Sequence, residues 1–487
     1  MAFDIDPGRH DDDRLREECG VFGIFRHPHA VALTALGLHA LQHRGQEACG
    51  IVSYDGKRFH GERHIGLVGE NFDKPAVLAR LEGDSAIGHV RYSTTGEHSL
   101  RNVQPLFAET GVGGFAIGHN GNFTNGLTLR RQLVAEGAIC QSTTDTEVIL
   151  HLAARSPKRG VTERFIDAIR QVEGAYALVG LAENRLLGAR DQNGIRPLVL
   201  GTLDGASVLA SETCALDIVG ARFVREVANG EIVDITADGI ALHHIAPPRP
   251  ARPCIFEFIY FARPDSIVGG RSVYAVRKAL GAELAREWPA EADVVVPVPD
   301  SGVPAALGFA QTSGIAYELG IIRNHYVGRT FILPEQQKRQ MGVRMKHSAN
   351  VGCLAGKRVV LIDDSVVRGT TSRKIVEMVR EAGAGEVHMR IASPPITHPD
   401  FYGIDTPDRE HLLAATRDVA GMRALIGADS LAFLSIEGLY RALGEPGRDA
   451  RAPQFTDHCF SGDYPTRLID QEGAAAPRQL SLLAEAS

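Results

Sequence analysis

Several common sequence signals are missing from this chain of 487 residues. No apolar run approaches the roughly 20 residues of a membrane-spanning helix, and the N-terminus has no apolar stretch typical of a secretory signal. The formal net charge is -7, whereas standing nucleic-acid partners require clustered excess Lys and Arg. The seven cysteines include no CxxC pair, which argues against a disulfide framework or a zinc site. These absences predict a cytoplasmic protein with small-molecule partners, no nucleic acid and no membrane.

The chain divides into two regions with different patterns, and its length suggests two or three domains. In 19–250, short alternating strands recur between glycine turns, which is typical of stacked antiparallel sheets with helices outside. A proline-rich stretch, IAPPRPARP, marks the predicted boundary. In 251–470, apolar strands alternate with helices, which predicts an α/β domain with a parallel sheet. Residues 471–487 are predicted to be a flexible tail.

The strongest chemical signal in the second half is RVVLIDDSVVRGTTSRK at 358–374. A buried strand delivers two aspartates to the sheet edge where ligands of open α/β sheets bind. The following glycine, hydroxyls and helix N-terminus suit a phosphate monoester, while the aspartates suit ribose hydroxyls and a Mg²⁺ that organises a diphosphate. Phosphoribosyl pyrophosphate (PRPP) carries all three groups, and the alternative is a loop with capping hydroxyls and solvated carboxylates. The predicted PRPP-binding residues here are Asp363, Asp364, Ser365, Arg368, Gly369, Thr370 and Thr371.

This motif resembles the fingerprint of the type I phosphoribosyltransferases. The resemblance implies a pyrophosphate loop, and PVPDSGVPAA at 297–306 has the matching strand-to-turn position. It also implies a mobile lid, for which the basic segment 324–346 is the candidate; in isolation that segment could be an exposed basic loop. The further residues implied to bind PRPP are Asp300, Ser301, Gly302, Arg329 and Lys346. The implied ligands of one Mg²⁺ per subunit are Asp300, Asp363 and Asp364.

In the first half, Cys19 stands where a charged arm gives way to the strand-like run CGVFGIF. If residues 1–18 are a propeptide that is removed, Cys19 gains its own base. An α-amino group titrates at about 7.7–8.0 and can take the thiol proton. The alternative is that Cys19 is simply a small buried apolar residue of a strand.

Four further motifs follow Cys19: LQHRGQEACGI, GHVRYSTTG, GHNGNFTN and TTDTEVIL. Together with CGVFGIF they resemble the glutamine amidotransferase domain of the N-terminal nucleophile hydrolases, which implies an α+β fold, the αββα sandwich. The resemblance makes Cys19 the nucleophile and makes the side chain of Asn120 and the N–H of Gly121 the oxyanion donors, in a tight Asn-Gly turn. The implied glutamine-binding residues are Arg44 and Gly45 beside the nucleophile, Arg91 for the α-carboxylate and Asp145 for the α-ammonium group.

These residues also have explanations without catalysis. Asn120 and Gly121 could form an ordinary hairpin turn, Asp145 could form a helix-capping box with Ser142, and Arg91 could be a surface charge. The joint occurrence of the motifs favours the functional interpretation.

A glutaminase half fused to a phosphoribosyltransferase half resembles the amidophosphoribosyltransferases, from Cys19 to about Leu468. The resemblance implies conversion of glutamine, PRPP and water to phosphoribosylamine, glutamate and pyrophosphate, the first committed step of purine biosynthesis. It implies a glutamyl thioester on Cys19, ammonia channelled through an apolar route, a homotetramer and inhibition by purine nucleotides. Glucosamine-6-phosphate synthase and asparagine synthetase share only the first half, and PRPP-sensing regulators with the second fold lack a glutaminase half.

The chain departs from the relatives that carry a [4Fe-4S] cluster. Those relatives have cysteine where Asp400 and Thr456 stand here, which leaves Cys254 and Cys459 of the ligand set. Because such a cluster requires four thiolates, the sequence predicts none.

Overall fold

The computed structural model describes residues 19–92, 99–247, 249–324, 347–406 and 408–472. The predicted propeptide 1–18, nearly all of the predicted tail, and the lid residues Arg329 and Lys346 lie outside these ranges. Within them, no helix is long and apolar enough to cross a membrane.

Thirteen strands of the first half form two antiparallel sheets. In chain order they are β1 (Gly20–Phe25), β2 (Ala48–Tyr54), β3 (Phe59–Ile65), β4 (Ser85–Arg91), β5 (Leu106–Thr110), β6 (Gly113–Phe123), β7 (Gly174–Ala182), β8 (Arg185–Arg190), β9 (Val199–Leu203), β10 (Ala206–Ala210), β11 (Arg222–Glu226), β12 (Glu231–Thr236) and β13 (Gly239–His244). The sheet orders are β11-β9-β10-β1-β4-β2-β3 and β13-β12-β8-β7-β6-β5.

The helices of the first half cover the outer faces of both sheets. They are α1 (Ala30–Ala40), α2 (Val68–Asn71), α3 (Pro75–Leu78), α4 (Gly126–Ala135), α5 (Glu147–Arg155), α6 (Val161–Ile169) and α7 (Thr213–Val219). Side chains alternate along β1, so that Val21 and Phe25 face the second sheet while Phe22 and Ile24 face α1 and α7. Phe165 of α6 packs on the opposite face of the second sheet. The layers form an αββα sandwich, which confirms the predicted fold class.

The second half contains a five-stranded parallel sheet and two short antiparallel pairs. Its strands are β14 (Ile267–Val268), β15 (Arg271–Ser272), β16 (Val294–Pro297), β17 (Ala316–Tyr317), β18 (Ile321–Arg323), β19 (His347–Ala349), β20 (Arg358–Asp363), β21 (Glu386–Ile391) and β22 (Ser430–Phe433). The parallel sheet has the order β17-β16-β20-β21-β22. Val360 and Ile362 of β20 face one apolar core, and Val359 and Leu361 face the other, so the strand is buried on both sides.

Helices enclose this sheet, which confirms the predicted α/β architecture. They are α8 (Val273–Glu287), α9 (Val303–Ser313), α10 (Val351–Leu354), α11 (Thr370–Glu381), α12 (Leu413–Thr416), α13 (Val419–Ile426), α14 (Ile436–Ala442) and α15 (His458–Ser461). Single 3₁₀ turns occupy Gln42–Arg44, Leu100–Asn102, Arg409–His411 and Ile469–Gln471, and a π turn occupies Glu257–Phe261.

Two glycines allow the backbones of α8 and α9 to touch. A Cβ on Gly281 would lie 1.8 Å from the carbonyl oxygen of Ala305, and one on Gly308 would lie 1.8 Å from that of Lys278. The close approach fixes α9, whose first residues, from Val303 onward, form the end of the predicted pyrophosphate loop at 297–306.

We expect Gly308→Ala to lower the free energy of unfolding by roughly 1–3 kcal/mol, because the new methyl group must separate the two helices. Urea unfolding measures the change. The matched control is Gly352→Ala in α10, where the nearest atom to an added Cβ lies 3.6 Å away. Equal stability of both variants would contradict the backbone contact.

Candidate active site

The nucleophile predicted from the sequence lies at the start of β1. Cys19 is half-buried, and its thiol donates to the carbonyl oxygen of Tyr92 at 3.6 Å. Burial raises the pKa of the Cys19 thiol to about 11, although the charge of nearby Arg91 acts in the opposite direction. The thiol is therefore protonated at neutral pH, and nucleophilic attack requires a base to remove its proton.

Arg44 holds the main chain of Cys19 in place. Its Nε donates to the carbonyl oxygen of Cys19 at 3.2 Å, and its other nitrogens donate to the carboxylates of Glu212 and Glu257. The bond from Arg44 Nη1 to Glu257 is 2.9 Å long and that from Nη2 is 2.7 Å long. All three side chains are buried. The structure thus places Arg44 beside the main chain of Cys19, the predicted nucleophile, while the contact of Arg44 with glutamine stays a prediction.

Glu212 and Glu257 were missed by the sequence reasoning. Glu257 belongs to the π turn of the second half, so the ion network around Arg44 spans both halves of the chain. Glu212 also accepts from the N–H of Arg263 at 2.9 Å and the hydroxyl of Ser266 at 2.7 Å. Burial opposes the ionisation of Glu212, but the charges of His43 and Arg44 hold its pKa well below the usual value.

Gly45 and Arg91 complete the surroundings of Cys19. A Cβ on Gly45 would lie 2.7 Å from the backbone nitrogen of Arg91, so only glycine lets this loop approach β4 so closely. Arg91 is only 3 % exposed, which makes the surface-charge alternative wrong.

The predicted turn at Asn120 and Gly121 is wrong. Both residues lie inside β6 and continue its ladder with β7, where Asn120 pairs with Ala177 and Gly121 pairs with Tyr176. Gly121 has a φ of +133°, and a Cβ there would lie 2.1 Å from the carbonyl oxygen of Ala175. The long register with β7 therefore overrides the local turn preference of an Asn-Gly pair.

The Asn120 side chain is suited to bind an oxyanion. It is completely buried, and neither its Nδ2 nor its Oδ1 has a hydrogen-bond partner within the described residues. Because a buried amide without partners is costly, this geometry favours a ligand that supplies the missing hydrogen bond.

Asp145 is held by two neighbours. Its Oδ2 accepts a hydrogen bond from the backbone N–H of Phe123 at 2.8 Å, and its Oδ1 lies 3.6 Å from Nδ1 of His119. Burial would raise the pKa of Asp145, but His119 and the Phe123 N–H hold it below the usual value. Ser142 bonds to Glu147 instead, through both its N–H and its hydroxyl. The alternative of a capping box between Ser142 and Asp145 is therefore wrong.

In the second half, Asp363 and Asp364 lie at the carboxyl end of β20, and both are largely buried. The N–H of Asp364 donates to Asp363 Oδ1 at 3.0 Å, and the Ser365 hydroxyl donates to Asp364. Residues 366–368 connect this edge to Gly369, the residue directly before α11. Gly369 has a φ of +81°. The Thr370 hydroxyl oxygen is buried without a hydrogen-bond partner among the described residues.

The predicted pyrophosphate loop lies beside this edge. β16 and β20 are parallel neighbours, and a Cβ on Gly302 would lie 2.4 Å from the carbonyl oxygen of Ile362. Asp300 is exposed and forms an ion pair with Arg323. The structure thus brings two loops to one sheet edge: the loop of 300–302 and the loop that contains Asp363 and Asp364. That the three aspartates of these loops bind one Mg²⁺ stays a prediction.

The segment at 400–404 joins the second half to the glutaminase strand β6. The Asn122 side chain donates to the carbonyl oxygen of Phe401 at 3.0 Å, and Gly403 packs against the backbone of Gly121. Arg196 donates twice to the carbonyl oxygen of Tyr402, at 3.0 and 2.8 Å. A cavity of about 210 Å³ lies at this junction, lined in part by Asp145 and Gly403.

The residues at the cluster positions do not fit a [4Fe-4S] centre. Cys254 forms a β-bridge with Thr456, and Cys459 lies next to His458, which is 2.7 Å from Asp400. Two thiols, one carboxylate and one hydroxyl stand where four thiolates are needed.

Known protein families match both halves. A family described as the glutamine amidotransferase domain matches residues 89–217, and one described as the phosphoribosyl transferase domain matches residues 266–392. The amidophosphoribosyltransferase of Rhizobium etli is 65 % identical over 480 residues, which cover 97 % of each chain. That of Bacillus subtilis is 49 % identical over 455 residues, covering 93 % of this chain and 95 % of the relative.

Two solved structures share the whole fold. The glutamine PRPP amidotransferase from B. subtilis complexed with ADP and GMP has a TM-score of 0.88 and 47 % identity, covering 94 % of this chain and 99 % of that chain. The structure of the allosteric regulatory enzyme of purine biosynthesis has a TM-score of 0.90 and 47 % identity, covering 96 % of this chain and 100 % of that chain. The chain belongs to the amidophosphoribosyltransferase family.

Proposed function

We propose that the chain performs the family's reaction at two sites, with ammonia released in the first half and consumed in the second. As a member of this family, it is an enzyme of purine biosynthesis with glutamine amidotransferase and phosphoribosyltransferase domains. The observation that carries the residue assignment is the arrangement around β1. Cys19, Arg44, Gly45 and Arg91 meet at one strand end. The side-chain amide of Asn120, for which the described residues provide no hydrogen-bond partner, lies on β6 of the facing sheet.

In the first half-reaction, the Cys19 thiolate attacks the glutamine carboxamide. The carbonyl carbon becomes tetrahedral, and its oxyanion accepts hydrogen bonds from Asn120 Nδ2 and the Gly121 N–H. As the intermediate collapses, the amide nitrogen takes up the proton that came from the thiol and leaves as neutral ammonia, and the γ-glutamyl thioester that remains is hydrolysed by water to glutamate and the free thiol. Arg91 would hold the substrate α-carboxylate and Asp145 its α-ammonium group.

The base in this step would be the α-amine of Cys19, freed by removal of 1–18. Because burial raises the thiol pKa to about 11, spontaneous ionisation supplies little thiolate at neutral pH. An adjacent amine that titrates at about 7.7–8.0 removes this obstacle.

In the second half-reaction, PRPP would bind across the edge formed by β16 and β20. Asp363 and Asp364 would contact the ribose hydroxyls, and the loop after them would hold the 5-phosphate with N–H groups and hydroxyls, including that of Thr370. The oxygen-rich set of Asp300, Asp363 and Asp364 suits Mg²⁺, which would neutralise the pyrophosphate as it leaves C1. Arg329 and Lys346 of the proposed lid would add positive charge.

We also propose that purine nucleotides bind to this chain and inhibit it. The B. subtilis structure complexed with ADP and GMP supports purine nucleotides as ligands. We propose a homotetramer that works in the cytoplasm.

Cys19→Ala is expected to abolish glutamine-dependent release of pyrophosphate while leaving ammonia-dependent release intact, because only the first site loses its nucleophile. Pyrophosphate release with each donor measures both activities. Cys353→Ala, which removes a half-buried thiol of the second half, should keep both. Loss of both activities in Cys19→Ala would contradict the two-site assignment.

Asp364→Ala is expected to impair turnover with glutamine and with ammonia alike, because both donors need bound PRPP. The control is Asp293→Ala, which removes a carboxylate paired with Arg358 at the opposite end of β20. If Asp364→Ala turned over at the wild-type rate with either donor, the ribose site would have to lie elsewhere.

Glu257→Gln is expected to lower the glutamine-dependent rate on the order of 10- to 100-fold, because a misplaced nucleophile loses alignment with the substrate. The ammonia-dependent rate should change much less. Glu445→Gln, which breaks the ion pair with Arg271 in the second half, serves as the matched control. An equal fall in both rates would indicate general destabilisation instead of a positioning role.

A further inference from the structure

Three metal-ligating side chains converge outside both proposed sites. Nε2 of His458 lies 2.7 Å from Oδ2 of Asp400 and 3.3 Å from Sγ of Cys459. All three ligand atoms lie within 4.8 Å of one another. His458 and Cys459 are each 1 % exposed, and the side chain of Asp400 is fully buried.

Backbone hydrogen bonds fix the orientation of the Asp400 carboxylate. Its Oδ1 accepts the backbone N–H groups of Tyr402 at 2.7 Å and Ile404 at 2.8 Å. Its Oδ2 lies 2.7 Å from Nε2 of His458, but no contact to this buried oxygen within the described residues has the geometry of a conventional hydrogen bond. A buried anionic oxygen is costly without a positive group beside it, so Oδ2 requires either the His458 ring or a metal ion that both side chains bind.

The imidazole is also held in place. The ring of Tyr402 packs edge-on against His458 at 5.0 Å between centroids, and the ring of Tyr464 lies at 4.9 Å. Cys459 is fixed through its carbonyl oxygen, which accepts the N–H groups of Thr397 and His398. Oriented ligands inside an apolar shell are the usual surroundings of a bound metal ion.

We propose that Asp400, His458 and Cys459 bind one Zn²⁺ ion, with a water molecule in the fourth position. A set of one carboxylate, one imidazole and one thiol suits Zn²⁺, whereas Mg²⁺ and Ca²⁺ prefer oxygen ligands alone. To surround an ion with bonds of about 2.0–2.3 Å, Asp400 Oδ2 and His458 Nε2 need to separate by about 0.6 Å, and His458 Nε2 and Cys459 Sγ by about 0.3 Å. Cys459 binds as the thiolate, and its proton leaves to solvent as the metal enters.

The ion would have a structural role, because it would link the segment that begins at Asp400 to α15. Asp400 begins the segment that contacts Asn122 and Gly121 of the glutaminase strand, while His458 and Cys459 belong to α15 near the end of the described chain. Zinc would therefore fasten this contact segment to the body of the second half. The sequence argued against zinc because it has no CxxC pair, yet these ligands come from distant parts of the chain.

Metal analysis tests the site directly. Protein purified from zinc-containing medium and dialysed extensively should retain one zinc ion per chain. Cys459→Ser should lose the zinc, while Cys49→Ser, which alters an equally buried thiol in the first half, should keep it. Zinc at background level in the wild type, equal zinc in both variants, or iron in place of zinc would overturn the proposal.

If Cys459→Ser does not fold, cobalt substitution in the wild-type protein tests the same ligands by spectroscopy. Wild-type protein stripped with a chelator and reloaded with Co²⁺ should show a thiolate-to-cobalt charge-transfer band, and Asp400→Asn should weaken cobalt binding. A cobalt spectrum without thiolate character would exclude Cys459 as a ligand. None of these readouts depends on catalytic activity.

Discussion

The buried ion network of Arg44, Glu212 and Glu257 is the constraint on which the rest of the structure depends. A guanidinium without solvent contact must be paired, and removing one partner from a buried pair costs about 3–5 kcal/mol. Because Arg44 also holds the carbonyl oxygen of Cys19 at 3.2 Å, the charges that join the halves also position the proposed nucleophile. The second half therefore contributes a buried carboxylate, Glu257, to the surroundings of the proposed glutaminase site.

The residues proposed for both reactions lie at the ends of neighbouring strands. β1 and β4 bring Cys19 and Arg91 together at one end of an antiparallel sheet, while β16 and β20 bring two loops together at one edge of a parallel sheet. The contact of 400–404 with β6 provides a second link between the halves, next to the proposed oxyanion donors. This arrangement suits a family whose first site makes the ammonia that its second site consumes.

Sequence reasoning succeeded where chemistry and local pattern agree. The apolar strand 358–363 and the two aspartates at its end follow directly from the sequence. The αββα sandwich was implied by the family resemblance of the motifs that begin at Cys19. The sequence-based predictions were wrong or incomplete where contacts between distant parts of the chain determine the local structure. The register of β6 with β7 removes the predicted Asn120-Gly121 turn, and Arg44 finds its carboxylates 168 and 213 residues away in the chain. No short-range spacing identifies Glu212 or Glu257.

The shared ion network joins the two halves into one coupled catalyst. The ratio of glutamate to pyrophosphate that the wild-type enzyme forms from glutamine, PRPP and Mg²⁺ tests this coupling. We expect one glutamate for each pyrophosphate, because ammonia made at Cys19 is consumed at the second site. Glutamate in large excess over pyrophosphate would show that the two halves work independently.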